Sequence, residues 1–159
     1  KEDAQRVVFQ FAPVVAPIKC GVYNLQSGSK FPPIVTRVVD LLTQAGISTK
    51  ADTSGQSVGR RYARADELGV PFGVTVDFDT VEDDTVTLRE RDSMTQRRVP
   101  IAALPGLLRE LCGLDGDVVA WKDALVAYPE VGASEASGPI TLETTSRGVF
   151  SRPAELVKK

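Results

Sequence analysis

Between residues 14 and 78, apolar runs at strand spacing alternate with apolar stripes at helical spacing, and each stripe ends on a glycine. Val14-Val15-Ala16-Pro17 leads into Cys20-Gly21-Val22-Tyr23-Asn24-Leu25, a short apolar run of the kind buried on both faces of a sheet. After the turn-like Gln26-Ser27-Gly28-Ser29, Pro32 and Pro33 suit a helix's first turn. Ile34, Val35, Val38, Leu41, Leu42 and Ala45 follow at helical spacing, and Gly46 closes the stripe. Ile47, Thr49 and Ala51 then alternate with Ser48, Lys50 and Asp52, a strand covered on one face and close to an edge. Ser57 is placed to cap a second helix whose stripe is Val58, Tyr62, Ala65 and Leu68, closed by Gly69. Phe72, Val74, Val76 and Phe78 alternate as a third strand. Strand, helix, strand, twice over, predicts right-handed crossovers and parallel strands, with the first strand central.

The acidic Glu82-Asp83-Asp84 marks a turn, after which Thr85 to Arg91 and Gln96 to Ile101 read as an antiparallel hairpin. Placing apolar residues opposite one another on one face sets Val86 against Ile101, Leu88 against Val99 and Glu90 against Arg97, with Asp92-Ser93-Met94-Thr95 as the loop. Arg89, Arg91, Gln96 and Arg98 then share the other face, with Arg89 beside Arg98, an unfavourable pairing unless solvent or an anion meets it. Leu104, Leu107, Leu108 and Leu111 predict a third helix, and Asp117 followed by Val118, Trp121, Ala124, Leu125 and Tyr128 a fourth that stops before Pro129. From Val131 onward no periodicity survives. That stretch reads as a flexible tail with a short strand at Ile140-Thr141-Leu142. The fold class is therefore α/β, a mixed sheet of about five strands, three parallel plus an antiparallel hairpin, flanked by helices.

Composition narrows the function. At 159 residues, with 42% hydrophobic and 25% charged residues, the chain suits one domain plus a tail. Its net charge of -2 exerts no bulk pull on nucleic acid, so any RNA affinity must come from a local patch. No histidine is present, and Cys20 and Cys112 lack metal-ligand spacing. A zinc site and a histidine-based triad are set aside, and both thiols are expected buried and reduced. No apolar stretch spans a bilayer and the start resembles no signal peptide, which predicts an intracellular domain without a membrane partner. The start without Met, in charged residues leading into an apolar segment, fits a piece of something longer.

The residues able to carry chemistry are mostly arginines. Arg60, Arg61 and Arg64 flank the apolar stripe of the second helix, and Arg60 and Arg64 share a face near its N-terminus, where anions are favoured. The same spacing also fits a solvated face on which Arg60, Arg64 and Glu67 pair along the helix, and charge alone does not decide. Arg89-Glu90-Arg91-Asp92 mixes charges as the edge of a cytosine requires, with its amino donor beside two acceptors. Simple cross-strand pairing of Glu90 with Arg97 fits as well. Phe78 is placed either to stack an unpaired base or to cap the core beside Phe72, Val74 and Val76.

In order along the chain, Gln5-Arg6 with Phe9 and Val14-Val15-Ala16-Pro17-Ile18-Lys19-Cys20, Gly59-Arg60-Arg61-Tyr62-Ala63-Arg64, Asp77-Phe78-Asp79-Thr80 and Arg91-Asp92-Ser93-Met94 closely resemble the C-terminal anticodon-binding domain of eukaryotic-type glycyl-tRNA synthetase. The resemblance to this class II aminoacyl-tRNA synthetase family runs from Asp3 to about Tyr128. It implies a linker from a missing catalytic domain over 1-16, the anticodon-binding domain over 17-129 and a tail over 130-159. The implied partner is the anticodon loop of glycine tRNA, read at the two cytosines that end glycine anticodons, with no DNA.

Arg60, Phe78 and Arg91 are implied nearest the bases. Asp79, Arg89, Glu90, Asp92 and Gln96 lie around them, and Arg61, Arg64, Thr80 and Arg98 complete the expected RNA-binding set. The parent enzyme would ligate glycine with ATP and Mg, neither held by this chain, and would be a cytoplasmic homodimer, with a mitochondrial form as its variant. None of the upstream class II signature motifs is present, so this chain alone is not expected to aminoacylate. A second reading is a protein-interaction module on the same scaffold, like the accessory subunit of mitochondrial DNA polymerase, because fold does not settle function. A nucleotide-binding enzyme fits poorly, since the glycine-rich loop has neither a Walker lysine nor GxGxxG.

Overall fold

A computed structural model describes residues 8-26 and 28-131. Its sheet has five strands in the order β2-β1-β3-β4-β5, where β1 is Cys20–Asn24, β2 Thr49–Asp52, β3 Phe72–Val76, β4 Thr85–Glu90 and β5 Gln96–Pro100. β1 pairs parallel with β2 and β3, while β4 lies antiparallel to both β3 and β5. The expected mixed sheet is present, and every residue of β1 and β3 is buried, as their unbroken apolar runs require.

Helix α1 (Phe31–Gln44) starts on its prolines and ends before Gly46, whose φ of +76° suits a residue without a Cβ. Its buried residues Phe31, Val35, Val38 and Leu42 pack on one face of the sheet. The helix α4 (Leu104–Leu111), entered through a 3-10 turn at Ile101–Ala103, and the short α5 (Trp121–Ala124) bury Leu104, Leu108, Leu111 and Trp121 against the same core. α2 (Val58–Glu67) carries Tyr62 to the opposite face, against Tyr23 and Thr75. Cys20 and Cys112 are free, buried thiols, and burial pushes the Cys112 thiol up to about 11.

Four sequence expectations change. Val76, not Phe78, ends the third strand: Asp77 caps a new helix, α3 (Phe78–Asp83), by a reciprocal pair of bonds with Thr80. The acidic turn thus shrinks to Asp84, in a left-handed conformation with φ 57°. The hairpin pairs Val86 with Val99, Leu88 with Arg97 and Arg89 with Gln96, two residues away from the expected register. An even slip keeps every side chain on its face, so Arg89, Gln96 and Arg98 still share one side.

The slip sets Arg98 opposite Thr87 and so avoids the Arg89-Arg98 repulsion. Glu90 loses Arg97 and accepts from Ser93 Oγ at 2.5 Å, while Arg97 pairs with Glu130 at 3.3 Å. The fourth helix keeps only the turn around Trp121. Finally, α2 buries Arg61 and Asp66, whereas Leu68 of its expected stripe is 51% exposed.

Both ends of the described chain lie against this domain. Phe9 donates its N–H to Asp66 O, and Ala16 is buried. Residues 129-131 run beside β5: Arg98 N–H donates to Pro129 O and Val131 N–H to Gln96 O, which occupies the free edge of that strand. The expected strand at Ile140-Thr141-Leu142, with the rest of the expected flexible tail beyond Val131, falls outside the described residues.

Candidate nucleic-acid interface

At the C-terminal ends of β1 and β2 the chain leaves toward opposite faces, toward α1 from β1 and toward α2 from β2, which in open α/β sheets creates a crevice. Arg61 fills it. Only 2% exposed, its guanidinium donates to Asn24 Oδ1 (3.1 Å), Asn24 O (2.6 Å) and Asp52 O (2.9 Å), so this arginine ties two strand ends together. Ser57 caps the same helix by accepting from Arg60 N–H at 3.4 Å.

The first turns of α2 then project Arg60 and Arg64 outward. Arg60 donates to Gln56 Oε1 at 3.2 Å and Arg64 to Asp52 Oδ2 at 2.9 Å. These partners come from the approach to the helix, not from Glu67 as the helical spacing had suggested. Burial raises the Asp52 carboxyl pKa, but bonds from Ser54 and the charges of Arg64 and Arg61 outweigh it and leave the group below its ordinary value.

α3 starts at the same end of the sheet. Phe78 is its first residue and stands 56% exposed, held edge-on against Phe31 with ring centroids 5.4 Å apart. It does not cap the core with Phe72, Val74 and Val76. Asp79 is exposed beside it, and Thr80 is buried in the cap.

Arg98 reaches across β4 to donate to Asp77 Oδ2 (2.5 Å) and Thr85 Oγ1 (2.5 Å). Burial raises the Asp77 carboxyl, but Arg98 and Thr80 outweigh it and lower the pKa overall. A depressed folded pKa contributes stability above the unfolded value, about 3.9, and loses it as pH falls through the folded one. Asp77→Asn is therefore expected to destabilise the chain by about 1 to 2 kcal/mol at pH 7, through the cap and the charge-assisted bond. The deficit should shrink as pH falls below about 4, where the unfolded carboxylate takes up its proton, and be smallest below the depressed folded pKa, where the native one protonates too. Urea unfolding of both proteins between pH 3 and 7 reads this, and a pH-independent difference would contradict it.

The other expected contacts lie at the opposite end of the sheet. β4 runs antiparallel to β3 with Glu90 beside Phe72, so the hairpin tip sits at the start of β3, about 16 Å of strand away from Phe78. Arg89 is buried and donates both Nη atoms to the Asp66 carboxylate, at 3.1 and 3.2 Å, while lying 4.6 Å over the Tyr62 ring. Arg91 is 2% exposed. It donates to Phe9 O, Phe11 O and Gly69 O at 3.0 to 3.1 Å and to both oxygens of Asp92.

Of the expected RNA-binding set, Arg60, Arg64, Phe78 and Asp79 are exposed, on helices that start at the same end of the sheet. Asp92 is exposed and Glu90 half-buried at the other, and Gln96 and Arg98 are half-buried on the sheet face. Arg61, Thr80, Arg89 and Arg91 are buried and bonded within the fold, away from the exposed surface expected of an RNA contact.

Sequence reasoning missed Asn24, Asp52 and Asp66, the partners of the buried arginines. For Asp66 a signal existed, since it follows Tyr62 by four residues and so lies on the buried side of α2.

Residues 14–111 match the family model described as an anticodon binding domain. Among curated proteins, the glycine--tRNA ligase of Bombyx mori is 47% identical over 134 residues, and that of Drosophila melanogaster 42% over 136. These alignments take in 84% and 85% of this chain but 18% and 17% of the two enzymes, so the chain spans under a fifth of their length. Among solved structures, a prolyl-tRNA synthetase from Cryptosporidium parvum complexed with L-proline and AMP superposes with a TM-score of 0.61 at 23% identity, over 66% of this chain and 22% of that one. That likeness concerns the fold alone.

Proposed function

Because the chain belongs to the anticodon-binding domain family, in the form found in glycyl-tRNA synthetases, we propose that it binds the anticodon loop of glycine tRNA at the sheet end where Arg60, Arg64 and Phe78 are exposed. One observation carries this reading: a large aromatic ring, 56% exposed and braced by Phe31, stands at the same end of the sheet as two outward-facing arginines. An exposed ring offers a stacking platform to an unpaired base, and arginines supply phosphate contacts and base-edge donors. With a net charge of -2, such a local arrangement is what RNA affinity requires here.

In this reading the domain contributes recognition, and the ATP- and Mg-dependent ligation of glycine is carried by parts of the enzyme beyond this chain. A homodimeric, cytoplasmic parent belongs to the same proposal and rests on the resemblance. No observation favours the interaction-module alternative.

The test is a titration of the chain with glycine tRNA anticodon stem-loops, native and with the two cytosines replaced, at two salt concentrations. Arg60→Ala and Phe78→Ala are expected to weaken native binding roughly 5- to 100-fold each and to shrink the preference for the native loop. Both side chains are exposed, so thermal midpoints should stay close to that of the parent chain. Equal losses on native and replaced loops would argue against base reading at that position.

A further inference from the structure

A groove that adjoins the surface just described, and shares Arg64 with it, runs between β2 and α2. β2 is an edge strand of four residues that α2 meets at its end, where Arg61 and Arg64 bond to Asp52, and a cavity of about 260 Å³ lies along the margin between them. Its wall follows from one glycine. A Cβ on Gly21 would fall 1.9 Å from the Tyr23 hydroxyl, so the tyrosine ring lies back along its own strand over the space a side chain would take. Lys50 is the register partner of Gly21 and leaves β2 on that same face.

Leu68, at the far end of α2, adds apolar surface of which half is exposed. Three cations, Lys50, Arg61 and Arg64, line the groove against one carboxylate, Asp52. That is a local excess of two positive charges in a chain whose net charge is -2. Arg61 lies beneath with its Nε–H buried and without a hydrogen-bond partner among the described residues, a donor that favours an acceptor nearby.

We propose that this groove holds one unpaired nucleotide of RNA, its phosphate between Lys50 and Arg64 and its base against Tyr23 and Leu68. The proposal rests on the anticodon-loop reading and adds a second nucleotide position to it. Size, charge and wall select this ligand together. The volume fits a single base and excludes a duplex, the paired cations fit a phosphate, and an aromatic and aliphatic wall accepts any base without demanding a hydrogen-bond match. An acidic peptide would answer the charge and leave the flat apolar wall unused. Arg64 lies on both surfaces, so a strand crossing the outer face of α2 reaches the groove without leaving the protein.

The experiment follows backbone amide resonances of the chain during separate titrations with cytidine 5′-monophosphate, cytidine and inorganic phosphate. The monophosphate is expected to shift Gly21, Lys50, Ala65 and Leu68 and to bind more tightly than either half alone. Lys50→Glu should weaken the monophosphate and phosphate at least tenfold, whereas Leu68→Ser should weaken the monophosphate and cytidine and spare phosphate. Both residues are exposed, and unchanged spectra elsewhere certify the fold. Phosphate binding as tightly as the nucleotide, or shifts confined to Arg60 and Phe78, would overturn the assignment. The stem-loop titration separates the two readings. Binding that needs Arg60 and Phe78 but ignores Lys50→Glu sinks the groove and keeps the anticodon surface. A groove filled by the monophosphate in a chain that binds no stem-loop sinks the anticodon surface instead.

Discussion

Arg91→Ala is expected to lower the stability of the chain by about 2 to 4 kcal/mol, the range for removing several buried bonds from one charged side chain. At this chain length that corresponds to a fall in thermal midpoint of about 10 °C. The guanidinium donates to three main-chain carbonyls from two distant segments, Phe9 and Phe11 on one side and Gly69 on the other, and Asp92 holds it in place. Without it those carbonyls lose a buried donor and residues 8-11 lose their clamp. Packing depends on the same seam: a Cβ at Gly69, where φ is +75°, would fall 2.4 Å from the Phe11 ring.

Arg91→Lys should recover little, because an ammonium cannot serve carbonyls on several sides as a planar fork does. Urea unfolding gives the magnitude, and hydrogen exchange at the Phe9 amide, bonded to Asp66 O, reads release of the segment. An unchanged unfolding midpoint combined with lost RNA affinity would show a base contact instead of a clamp. A loss of both is the signature of a folding defect, and must not be counted as base recognition.

This seam also explains where sequence reading stopped. The alternation of strands and helices was legible because its signals are local: apolar period, proline at a helix start, Ser57 at a cap, Gly46 and Gly69 at helix ends. The hairpin's faces were legible and its register was not, since slips of two residues leave the same apolar pattern in place. What chooses between them is tertiary: Arg91 leaves the strand to reach Phe9 and Gly69, and Met94 takes a left-handed conformation in the loop.

Phe78 was drawn into the strand by the alternation of Phe72, Val74 and Val76, although the pairing of Asp77 with Thr80 three residues on was a legible helix start. The arginines were recognisable as a set. Their division between the two ends of the sheet, and the burial of Arg61 by Asn24 and Asp52, depend on contacts 37 and 9 residues apart in sequence that no local pattern reports.

The buried pair of Arg89 and Asp66 sets the second large effect. Either partner's removal is expected to cost about 3 to 5 kcal/mol, because two ions brought out of water depend on each other for compensation. Asp66→Leu should be the milder of the two. It leaves the guanidinium on the face of Tyr62, whose hydroxyl is itself tied to Thr75, whereas Arg89→Met loses the stacked cation in addition to the same two charge-assisted bonds. The double substitution Asp66→Leu with Arg89→Met should regain most of the loss and fall within about 2 kcal/mol of the parent chain, since an apolar pair of similar volume carries no desolvation cost. The four proteins form a double-mutant cycle measured by urea unfolding, with a coupling of at least about 2 kcal/mol expected. Additive losses would mean that the pair contributes nothing as a pair. The folded double variant also isolates the part Arg89 plays in function. If it binds the anticodon stem-loop as the parent does, Arg89 acts by seating α2, and therefore Arg60 and Arg64, and not by touching RNA.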